Sequence, residues 1–117
     1  MLEEKAEDLG RVLGQTDEYK ALRRATEALR EDQAVQKVLA EAERLAQEIE
    51  RVAQQGTEPT KEQVEQYDRA LQGVQGNSVY QQMVAAQANF EKLMAKINAR
   101  IYEGIKKGAA SPIITLG

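Results

Sequence analysis

The chain has 117 residues, enough for one ordinary domain and too few for two, and it contains neither cysteine nor histidine. That excludes disulfides, thiol nucleophiles, the Ser-His-Asp arrangement and metal sites built on Cys or His. The net charge is −3, but residues 1 to 76 hold 11 basic and 17 acidic side chains while residues 77 to 117 hold 5 and 2, so a basic end follows an acidic body, and the whole is less basic than polyanion-binding proteins usually are.

The first helix is predicted over Leu2 to Leu13, with Leu2, Ala6, Leu9, Val12 and Leu13 on one face and Gly14 at its stop. Thr16 or Asp17 caps a short second helix whose stripe is Tyr19, Leu22, Ala25 and Leu29. Asp32 then caps the element around which the rest is organised. From Asp32 to Gly56 the residues Val35, Val38, Ala42, Leu45, Ile49 and Val52 recur at spacings of three and four, the repeat of a helix seam that lies against another helix. Glu41 and Glu48 border that seam as an acidic edge. Gly56 and Pro59 mark the clearest turn, since a proline biases the residue before it out of helical geometry.

Thr60 followed by Gln63 reads as a capping box, opening a helix through Val64, Tyr67, Ala70 and Leu71. Gly73 and Gly76 bracket the next break, after which Asn77 or Ser78 caps a last helix running to about Lys107. Its stripe is Tyr80, Met83, Val84, Phe90, Leu93, Met94, Ile97, Ile101 and Ile105, and it is the expected antiparallel partner of the Asp32–Gly56 helix. Pro112 forbids further helix, and Ile113 to Leu116 suits an extended tail that docks on a groove or neighbouring subunit, or hangs loose. The expected organisation is one all-helical domain over 1–108 and a tail over 109–117.

The fold class that follows is all-α: a long antiparallel helical hairpin with shorter flanking helices, in a helical-bundle assembly. Apolar residues make up 42%, yet 17 are alanine and only 25 are Leu, Ile, Val or Phe, too few large side chains for a thick single-chain core. Thin helices that bury their stripes partly against a second subunit are the expected solution. The self-assembly seam is predicted as Val38, Leu45, Ile49 and Val52 facing Phe90, Met94, Ile97 and Ile101.

No pattern for catalysis, a cofactor or a metal emerges. The only serines, Ser78 and Ser111, occupy positions explained by a cap or a turn, and carboxylate pairs such as Glu41 with Glu48 lie at seam edges rather than within a dry stripe. No loop has the spacing of a calcium or phosphate site. The N-terminus is acidic and amphipathic, unlike a secretory signal, and no run is apolar enough to span a bilayer, so a cytoplasmic protein is expected.

One charged feature has a direction. Lys92, Lys96 and Arg100 recur every four residues and are followed by Lys106 and Lys107. Like charges so spaced repel, so an acidic edge such as Glu41 and Glu48, water, or a second subunit is the preferred neighbour, and a polyanion or partner protein is the sharper alternative. Against nucleic acid stand the net acidity and only five aromatic residues.

Leu9, then Asp17-Glu18-Tyr19 and Leu22, Asp32 opening a long helix that ends in Gln54-Gln55-Gly56, Thr60 with Gln63-Val64, and the closing Met83 to Ile101 helix with Ala95-Lys96-Ile97-Asn98 together resemble the YlbF/YmcA family, and within it the YheA-like branch. The resemblance runs over residues 5 to 105. It implies an all-α, dimeric or higher assembly from bacterial cytoplasm, whose better-studied relatives are protein-binding regulators linked to competence, sporulation, biofilm formation and control of RNA processing. Some relatives carry cysteines associated with an iron–sulfur cluster; this chain has none. The expectation is a non-enzymatic regulator or scaffold subunit that binds itself and another protein, without cofactor, metal or membrane, and with nucleic acid as the alternative ligand.

Overall fold

The computed structural model describes residues 1–110, which form five helices and no strand: α1 (Leu2–Gly14), α2 (Asp17–Glu31), α3 (Gln33–Gln54), α4 (Lys61–Gln75) and α5 (Ser78–Ala110). The boundaries are set by side chains that satisfy the backbone groups a helix end leaves unpaired. The Thr16 hydroxyl donates to the Leu13 carbonyl at 2.6 Å and accepts from the Tyr19 amide at 3.2 Å, joining the end of α1 to the start of α2. Asp32 accepts from the Val35 amide at 3.0 Å and, in extended conformation, turns the chain between α2 and α3. Thr60 and Gln63 complete a capping box, each side chain accepting from the other's amide. Asn77, rather than Ser78, caps α5 by accepting from the amides of Val79 and Tyr80 at 2.9 and 3.1 Å.

The end of α3 uses the one glycine among the described residues whose conformation is required. Gly56 has φ of 78°, the left-handed region, and the Thr57 amide reaches back to the Val52 carbonyl while the Gly56 amide reaches Ala53. That pair of bonds is the Schellman closure of a helix. Gly73, expected at a break, lies inside α4 instead, and a methyl group there would sit 3.5 Å from Val38 Cγ1. The reason is tertiary: at that point α4 runs close beside α3. The break falls at Gly76, where the amide still bonds the Gln72 carbonyl. Helix α5 continues through Gly108 to Ala110, past the expected end at Lys107. The tail expectation at Ile113 to Leu116 lies outside the described residues.

The chain divides into two units, Arg24–Val84 and a second made of Met1–Arg23 with the residues from Ala85 on. The first is built on the α3–α4 hairpin. Gly73 approaches Val38 and Gln63 bonds Glu48, so as one helix advances ten residues the other retreats by ten, which makes the pair antiparallel. The hairpin partner of α3 is therefore α4, which corrects the expectation that the Asn77–Lys107 helix fills that place. A connection of six residues closes this hairpin at low entropic cost, and α4 brings its own apolar face of Tyr67, Ala70 and Val74. The side chains of Val35, Ala42, Leu45 and Val74 are buried here, with Val35 at 0% exposure. Burying a Val or Leu fully contributes about 1.5–3 kcal/mol, so these few residues hold the unit together.

The second unit has a different character. Tyr19 meets Phe90 edge to face with ring centroids 5.5 Å apart, an arrangement contributing about 0.5–1.5 kcal/mol beyond its buried area. Leu9, Leu13, Leu22, Leu93, Met94 and Ile97 are half-buried, and no residue of α1 or α5 is buried.

Candidate functional site

Two faces of the α3–α4 hairpin carry distinct chemistry. On the first, Arg44 Nη2 donates to Glu41 Oε1 at 2.6 Å and Arg44 Nη1 to Glu48 Oε2 at 3.4 Å, and the other oxygen of Glu48 accepts from Gln63 Nε2 of α4 at 3.4 Å. The hydrogen bond from Arg44 holds the Glu41 carboxyl below the usual carboxylate range, opposed by desolvation, and the same bond raises the Arg44 guanidinium. Glu41 and Glu48, read from the sequence as an acidic edge of the seam, have a basic neighbour on their own helix. Arg44 is the residue the sequence reading passed over, and its signal was present in the spacing, three residues after one glutamate and four before the other. Glu41 and Arg44 line an open depression of about 440 Å³ with Leu45, Gln66, Arg69 and Ala70.

The second face is apolar. Ala46, Ile49 and Ala53 of α3, with Val64 and Tyr67 of α4, line a groove of about 400 Å³ bordered by Glu50. The α3 members fall at positions i, i+3 and i+7 of one helix face, so the groove is a direct product of the heptad pattern. Sequence reading places Ile49 in the seam and does not separate the part α4 covers from the part left open.

The predicted seam is distributed over the two units. Val38, Leu45, Ile49 and Val52 lie in the hairpin, where Leu45 is buried and the other three are half-buried. Phe90, Met94, Ile97 and Ile101 lie on α5 in the other unit, the first three half-buried and Ile101 46% exposed. Beyond Ile101 the helix also exposes Tyr102 and Ile105, at 66% and 58%. Tyr102 is absent from the predicted stripe. Near the other terminus, Leu2 and Val12 of α1 are 76% and 64% exposed.

All five members of the predicted basic face, Lys92, Lys96, Arg100, Lys106 and Lys107, are exposed on α5. Arg100 reaches Glu103 on its own helix at 3.1 Å, and among the described residues the four lysines have no ion pair. Among the described residues no group of three His, Cys, Asp or Glu side chains is arranged to hold a metal ion, and no helix is long and apolar enough to cross a membrane. The arrangement presents surfaces for contact: an apolar groove with an acidic border, an exposed aliphatic row, and a row of cations.

No curated protein matches the chain. Residues 2–106 match the family described as control of competence regulator ComK, YlbF/YmcA, a span covering α1 to α4 and most of α5. With a match over nearly its whole length, the chain belongs to the YlbF/YmcA family.

Proposed function

We propose that the protein is a non-enzymatic regulator or scaffold subunit of the bacterial cytoplasm that acts as a homo-oligomer, dimer or higher, and binds another protein. The observation that carries this reading is the exposure of patterned apolar residues: α1 and α5 are amphipathic yet bury no residue within the chain, and leave Leu2, Val12, Ile101, Tyr102 and Ile105 in water. Helices patterned for burial and left uncovered mark contact surfaces. The family description, regulatory rather than catalytic, supports the same reading. Closeness to the YheA-like branch rests on the sequence pattern. The test is the molar mass in solution by light scattering, followed by affinity capture from native cytoplasm with nuclease treatment. A monomer at all concentrations that captures no protein overturns the proposal.

A second reading, a nucleic-acid-associated accessory protein, draws on Arg100 and the four lysines of α5 that have no ion pair among the described residues. Replacing Lys92, Lys96 and Arg100 together with Ala would weaken nucleic-acid binding, and that binding would fall steeply with salt. Binding that ignores both changes removes this reading.

A further inference from the structure

The apolar groove of the hairpin and the exposed aliphatic row of α5 are complementary in length, polarity and charge. From Ala46 to Ala53 the groove floor on α3 covers about 10 Å, and from half-buried Ile97 through exposed Ile101 and Ile105 the α5 row covers about 12 Å, two turns of helix in each case. The border of the groove is acidic: Glu50 lines it, Glu43 lies one turn before Ala46, and Asp68 one turn after Val64 on α4. None of these three has an ion pair among the described residues, whereas Lys61, near the same border, is 4.0 Å from Glu65. On one flank of the α5 row lies Arg100, three residues after Ile97, with Lys96 and Lys107 in line with it at four residues before and seven after, while Lys92 falls on the far side of the helix from Ile101.

Here the geometry points to a second copy of this chain as the occupant of the groove. The Ile97–Ile105 face of α5 from one copy seats against Ala46, Ile49, Ala53, Val64 and Tyr67 of the other. Lys96 and Lys107 then lie along the α3 border of the groove, at Glu43 and Glu50. The alternative, α5 against α5, sets two basic flanks on the same interface and gains nothing from the acidic groove. This inference rests on the homo-oligomer reading and names its surfaces.

The absence of native cysteine makes the test direct. Ala53→Cys in one copy is co-expressed, under a distinguishable tag, with Ile97→Cys, Ile101→Cys or Ile105→Cys in the other, and mildly oxidised. Ala53 and Ile105 are exposed, so these changes leave the helical circular dichroism unaltered. At least one mixture is expected to give a disulfide-linked pair carrying both tags, while Ala53→Cys alone gives none. A protein that is oligomeric by light scattering but cross-links only α5 to α5, or in no mixture, overturns the groove assignment and leaves the homo-oligomer reading standing; a strict monomer overturns both. As a second measure, Glu50→Lys raises the dissociation constant about threefold, the scale of one exposed ion pair, and pairing that variant with a Lys96→Glu copy restores it. Dissociation constants unmoved by either reversal overturn the charge pairing.

Discussion

Between Arg24 and Val84 four apolar side chains are buried, and among the described residues from Met1 to Arg23 and from Ala85 to Ala110 none is, although both stretches carry helices with clear apolar faces. The difference is connectivity. A six-residue loop ending in a capping box returns α4 onto α3, so their stripes meet within one chain. The α5 helix has 33 residues, about 50 Å of rod at 1.5 Å per residue, and its stripe extends well beyond what the chain covers. Equal patterning therefore yields a core in one region and a contact surface in the other.

The strongest way to break that contrast is a charge in the hairpin. Leu45→Asp places an unpaired carboxylate at a buried position, with an expected loss of several kcal/mol and of the helical circular dichroism signal at 25 °C. An equally stable variant would refute Leu45 as core. Ile105→Asp, at a position 58% exposed, is expected to leave the monomer's unfolding midpoint in denaturant within about 0.5 kcal/mol while weakening self-association at least tenfold by sedimentation.

Smaller changes sharpen the hairpin's own account. Thr60→Ala removes the hydroxyl that accepts from the Gln63 amide and should lower stability by about 1 kcal/mol in urea titrations. Gly73→Ala should do the reverse, raising stability by about 0.5–1 kcal/mol, because the residue is in mid-helix and its added methyl meets Val38 at an ordinary contact distance. A loss at Gly73 would show that α4 runs closer to α3 than 3.5 Å allows.

The smallest effect is on pH. Glu41 has its folded pKa lowered by Arg44, so its contribution to stability is complete above the unfolded-state pKa and is lost as the pH falls through the folded one. Both groups are exposed, so the expected acid-side slope is slight. Arg44→Ala should flatten that slope, seen as a smaller difference in unfolding midpoint between neutral and acid solution.

Much of the local structure was legible because it is decided within a few residues. Asp32, Gly56 with Pro59, and the Thr60–Gln63 box each act over three or four positions, and each stands where expected. Gly73 was misread for the complementary reason: a glycine's intrinsic tendency to end a helix is worth about 1 kcal/mol, and packing of α4 along α3 outweighs it. The acidic edge of α3 was visible, but its partner was sought at a distance when Arg44 stood one turn away.

What the sequence determined alone is the all-helical class, the caps and the apolar periodicity, because these follow from backbone groups and side chains three to four residues apart. The tertiary structure decided which stripe meets which. Heptad faces on α3, α4 and α5 are chemically alike, so periodicity does not distinguish their partners. The folded packing does: it sets α4 against α3 and leaves the groove at Ala46 to Ala53 and the row at Ile101 to Ile105 in water.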